Sequence, residues 1–116
     1  MTIYQKGTVV ERLVSYVSAI HRQASLVSIV RQTVSKEGWL DQDFEVLKEE
    51  SIYWFDNGVV IRRVVEQDNF PCELACAECW IIYEVLEHGD GQRVDPCRRS
   101  FDNACRESYW MAFHNA

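Results

Sequence analysis

No run of this chain approaches the ~18 uncharged apolar residues that a membrane-crossing helix needs. The opening Met-Thr-Ile-Tyr-Gln-Lys-Gly-Thr lacks the apolar stretch of a secretory signal, so the chain is read as cytoplasmic, with no membrane partner. Positive charge is scarce too: 12 Lys and Arg stand against 18 Asp and Glu, a formal net charge of −6. Arg62-Arg63 and Arg98-Arg99 are the nearest thing to a basic patch, too little to neutralise a phosphate backbone, and nucleic acid is not expected as a partner. Phosphate-binding glycine loops are missing. The three histidines, His21, His88 and His114, are scattered, so no Ser-His-Asp or Cys-His grouping can be read from spacing.

What is present is ordinary globular material. Apolar residues make up 47% and charged residues 26% of 116, enough for a single α+β domain over 1–116 that buries a core without a metal or disulfide staple. Five cysteines, an odd number, cannot all pair within one chain, and a cytoplasmic reading keeps them reduced. Cys72, Cys76 and Cys79 form the one cluster whose type and spacing suit a soft metal, because short spacers cost little loop entropy and thiolates are polarizable ligands.

The Cys72-x3-Cys76-x2-Cys79 spacing resembles the cluster-binding triad of radical SAM enzymes, which implies an iron–sulfur cluster on an incomplete βα barrel. Glu78 stands where those enzymes usually carry an aromatic, and 116 residues cannot build the barrel, so that family is rejected. Zinc is the alternative cofactor, if Cys97, Cys105 or His88 completes four ligands. The competing expectation is that no cofactor binds, Cys76, Cys97 and Cys105 being small buried hydrophobes.

Along the chain, Thr8 and Glu11 match a capping box ahead of Val10, Leu13, Val17, Ile20, Ala24 and Val27, apolar at spacings of three and four. This predicts a helix from about Val9 toward Glu37, stopped at Gly38. Such a helix would be roughly 40 Å long. The competing reading ends the helix near Arg22 and makes Ser25 to Val34 a strand, on the β-branched Val27, Ile29, Val30, Thr33 and Val34; helix is preferred.

The middle reads as an antiparallel meander of three or four strands. Asn57-Gly58 asks for a type I′ hairpin turn, which would set Tyr53 opposite Arg62 and Trp54 opposite Ile61. Ile52, Trp54, Val59, Ile61 and Val65 would then share one face, and Tyr53, Phe55, Val60 and Val64 the other. Residues 80–87 predict another strand and 43–48 a shorter one. Asp95-Pro96 starts a closing helix with Cys97, Phe101, Ala104, Cys105, Ser108 and Ala112 on its stripe, and Trp110, Met111 and Phe113 off it. The fold expected is one layer of sheet covered by an N-terminal and a C-terminal helix.

Two doubly apolar layers point to a homodimer. The function expected is a non-enzymatic binding or interaction module for a protein or an apolar small molecule, with Tyr53, Trp54, Trp80 and Tyr83 as the ligand-binding residues. One alternative is a metal- or thiol-dependent protein using Cys72, Cys76 and Cys79. A second is a small acid–base enzyme drawing on Glu45, Glu49, Glu50, Glu73 or Glu78.

Overall fold

The β-branched residues Ile29, Val30, Thr33 and Val34 settle into sheet, because strand pairing gives each such side chain a pleated neighbour where a helix would restrict its rotamers. In a computed structural model, which describes residues 9–42, 44–68 and 78–115, strand dominates. The elements are β1 (Val9–Arg12), α1 (Leu13–Ile20), β2 (Ile29–Asp41), β3 (Phe44–Phe55), β4 (Val59–Asp68), β5 (Glu78–His88), β6 (Gln92–Asp95), β7 (Arg98–Asn103) and α2 (Ala104–Asn115). The strands form a five-stranded antiparallel sheet, β2-β3-β4-β5-β7, and a parallel pair, β1-β6.

The expected α+β fold with a long N-terminal helix is therefore wrong. Val9 opens a strand, α1 is eight residues long, and Gly38 lies within β2 opposite Leu47. The helix ends because Arg22 turns to a left-handed φ of 59°. Gln23 N–H then reaches the Ser18 carbonyl at 2.8 Å and Arg22 N–H the Ala19 carbonyl at 3.0 Å, the paired closure of a Schellman motif. Asp95-Pro96 is a cis peptide between β6 and β7, and the closing helix begins only at Ala104. Thr8, the expected cap, lies outside the described residues.

The expected Asn-Gly hairpin is present, with a different turn. Gly58 has a φ of 87° while Asn57 is not left-handed, and Gly58 N–H donates to the Phe55 carbonyl at 3.1 Å. Asp56 and Asn57 are thus the centre of a type I turn closed by a glycine bulge, a three-residue loop rather than a two-residue one. The register moves by one: Tyr53 pairs with Ile61 and Trp54 with Val60. That shift sorts the side chains anew. Tyr53, Phe55, Val59, Ile61 and Arg63 share one face; Ile52, Trp54, Val60, Arg62 and Val64 share the other.

Both helices lie against the first face. Leu13, Tyr16 and Val17 of α1 and Met111 of α2 join Tyr53, Phe55, Val59, Ile61, Ile81, Tyr83, Val94 and Phe101 in one core. The Tyr16 ring meets Phe55 edge-on at 4.9 Å, and its hydroxyl accepts from Asn57 Nδ2 at 2.8 Å. Among the described residues no helix packs on the opposite face. Arg62 lies across it between Glu50 at 3.0 Å and Glu84 at 3.6 Å. Turns meet at one end of the sheet: a Cβ on Gly89 would stand 2.7 Å from the Asn57 carbonyl oxygen, and Gly89 has a φ of 78°.

Candidate functional site

β7 runs directly into α2, and Asn103 makes the corner by accepting the Arg106 N–H on its Oδ1 at 2.8 Å, the side-chain cap of a helix start. The corner lays α2 back along the free edge of the sheet. Phe101 is buried beneath it, with Trp110 at 5.2 Å between ring centres. Tyr109 and Phe113, 74% and 67% exposed, stand out from the helix, and Trp80 reaches the same edge from β5. Together they wall a cleft of about 690 Å³.

Among the described residues, one charge of the cleft has no ion-pair partner. Arg106 is paired with Asp102 at 3.1 Å. The Arg99 guanidinium instead lies 5.2 Å from the Phe101 ring centre and 5.9 Å from that of Trp110, and forms no carboxylate ion pair among the described residues. Apolar walls with a cation over aromatic rings suit a ligand that is itself apolar and carries a negative group.

A second polar constellation lies under the helices. Tyr83 O–H donates to Glu107 Oε2 at 2.5 Å and accepts from Arg63 Nε at 3.0 Å. His21 Nε2 stands 3.2 Å from Glu107 Oε1 and 3.2 Å from the Tyr83 oxygen. Burial, with Glu107 adding to it, pushes the Tyr83 phenol far up, so it stays protonated. Burial also opposes charge on Glu107, but hydrogen bonds from His21 and Tyr83 and the nearby positive charges outweigh it and hold that carboxyl below its ordinary value. An acid–base pair working near neutral pH would need the carboxyl raised and the phenol lowered toward 7, the opposite of both displacements here. The constellation therefore pins α2 and the end of α1 to the sheet.

Comparison with protein-family models, curated proteins and solved structures finds no match. The function rests on the geometry alone.

Of the four aromatics expected to bind ligand, Tyr53 and Tyr83 are buried on the helix-covered face, while Trp54 and Trp80 belong to the opposite one. Trp80 alone of these lines the cleft; Tyr109, Trp110 and Phe113 supply the other walls. The off-stripe spacing of Trp110 and Phe113 on the closing helix was the signal for those two; Met111, off the stripe with them, is in the core, and Tyr109 was not singled out. The expected stripe itself is turned out: Cys105, Ser108 and Ala112 are exposed, and Glu107 and Met111 are buried.

Cys72 and Cys76 lie outside the described residues. Cys79 is a half-buried free thiol; burial raises its pKa, and the Ala104 N–H and Arg63 oppose that only in part. Among the described residues no group of three His, Cys, Asp or Glu is placed to hold a metal. The expected buried thiols are not found where looked for: Cys97 is exposed, and Cys105 is exposed and disulfide-bonded. His88 accepts the Val94 N–H on Nδ1 at 3.0 Å. No helix among the described residues is long and apolar enough to cross a membrane.

Proposed function

We propose that this protein is a non-enzymatic binding module whose cleft, between α2 and the free edge of β7, takes an apolar aromatic ligand bearing an anionic group. The observation that carries this reading is Arg99, a guanidinium over Phe101 and Trp110 with no carboxylate partner among the described residues, in a cleft whose apolar walls include Trp80, Tyr109 and Phe113 and whose floor holds the paired Asp102 and Arg106. An anion there gains a charge-assisted contact in apolar surroundings, and its ring gains stacking area. Calorimetric titration with 2-naphthylacetate and with its neutral counterpart 2-naphthylethanol tests it. The acid should bind about tenfold or more tightly than the alcohol. Arg99→Ala should erase that preference, and Trp110→Ala should weaken both. Equal affinity for the two compounds, or no binding of either, overturns the reading.

Self-association belongs to the same reading. It is supported by apolar side chains that the fold leaves outside its core, Val30, Val34, Trp39 and Leu40, all on one strand.

A further inference from the structure

The outer edge of β2 is thirteen residues long and meets no other strand among the described residues. Every residue from Val30 to Leu40 is exposed, with Val30 at 65%, Val34 at 48% and Leu40 at 77%. Such an edge presents a row of unpaired N–H and C=O groups, and proteins ordinarily blunt it with proline, inward charges or shortness. Here the blunting is slight: no proline, one irregularity between Ile29 and Arg31, and Lys36 as the sole lysine. The opposite free edge, β7, is six residues long and carries Arg98 and Arg99 side by side.

We infer that β2 pairs with β2 of a second copy, antiparallel about a two-fold axis through Val34, to make one continuous sheet across two chains. This rests on the self-association proposed above and names its surface. An antiparallel two-fold pairing must centre on a residue, because paired residues must turn their backbone groups the same way. Centred on Val34, the register sets Arg31 opposite Glu37 at both ends, Gln32 opposite Lys36, and Val34 against its own copy. Arg31 and Glu37 lie on the same face of the sheet, since their β3 partners are Trp54 and Lys48. Arg31 has no carboxylate ion pair among the described residues, only the Trp54 ring at 4.5 Å, while Glu37 keeps a surface contact with Lys48 at 3.6 Å. The neighbouring registers are worse. Centring on Thr33 opposes Val30 to Lys36, centring on Ser35 opposes Val34 to Lys36, and centring on Lys36 brings two lysines face to face, whereas opposite charges across a pair stabilise and like charges repel.

Sedimentation velocity over a concentration series tests the pairing. The unaltered chain should be a dimer, and Val34→Lys, which places two cations at the axis, should raise the dimer dissociation constant about tenfold or more. Arg31→Glu and Glu37→Arg should each weaken the dimer, and the double exchange Arg31→Glu/Glu37→Arg should restore it. If Val34→Lys loses its fold by circular dichroism, the charge exchange decides alone. A dimer indifferent to all of these changes overturns the β2 surface and leaves self-association standing; a chain monomeric at every concentration overturns both. Neither result touches the ligand cleft.

Discussion

The Tyr83 hydroxyl donates a hydrogen bond to Glu107 Oε2 at 2.5 Å, joining the centre of β5 to the inner side of α2 at a point where both residues are buried. A helix can present a carboxylate to a core only if the charge is answered there. Arg63, donating to the Tyr83 oxygen at 3.0 Å, and His21, 3.2 Å from Glu107, answer it.

Removing one partner of a buried pair costs more than replacing both, since the survivor keeps its desolvation penalty. Glu107→Gln should lower stability by about 2–4 kcal/mol, because Arg63 is left without the carboxylate. Tyr83→Phe should cost about 1–3 kcal/mol, as Glu107 keeps its His21 contact. Urea unfolding followed by tryptophan fluorescence measures both, and the reverse ranking would show that Arg63 does not depend on Glu107.

Acid sensitivity follows from the same carboxylate. Its pKa is lowered in the folded chain, so its contribution is complete above the unfolded carboxylate value and is lost as pH falls through the folded one. Urea midpoints taken at stepwise lower pH should fall less steeply across that window in Glu107→Gln than in the unaltered protein. Parallel slopes would place the acid sensitivity elsewhere.

Arg62 and Arg63 are neighbours in the chain on opposite faces, which makes them a test of the hairpin register. Arg62, between Glu50 and Glu84 on the open face, should cost no more than about 1 kcal/mol when changed to alanine, the scale of a surface pair. Arg63→Ala should cost about 2–4 kcal/mol, since it takes the donor from the buried Tyr83 oxygen and a nearby positive charge from Glu107. A reversed ranking would return the hairpin to the two-residue loop, in which Arg62 would share the face of Tyr53 and Phe55.

Gly89→Ala should destabilise by about 1–3 kcal/mol, because the left-handed backbone strains any other residue and the methyl would press on the Asn57 carbonyl oxygen. Gly91→Ala, with open space around it, should cost only the conformational part. Thermal melts of the two variants separate the contact from the backbone strain.

Local chemistry made the hairpin at Asn57-Gly58, the strand over 80–87 and a closing helix readable from residues alone. The register was not, because Asp56 precedes Asn-Gly and both a two-residue and a three-residue loop satisfy that run. β2 was hidden for a related reason: Ile29, Val30, Thr33 and Val34 favour a strand by residue type but do not alternate strictly with polar residues, and only pairing along β3 settles them. The pin could not be read at all, its members being residues 21, 63, 83 and 107, although an arginine on an otherwise apolar strand face was a trace of it. For the cleft, spacing pointed to Trp110 and Phe113, while Arg99 became meaningful only when Phe101 and Trp110 were seen beside it.

α1 spans two turns, has no side-chain cap, and ends on an arginine in a left-handed conformation. A helix so short has no independent existence in water. Its amides therefore share the fate of the sheet beneath them: deuterium should reach residues 17–20 only when the whole structure opens, while the outer strand β2 of a single chain, held along one side, exchanges by local fraying.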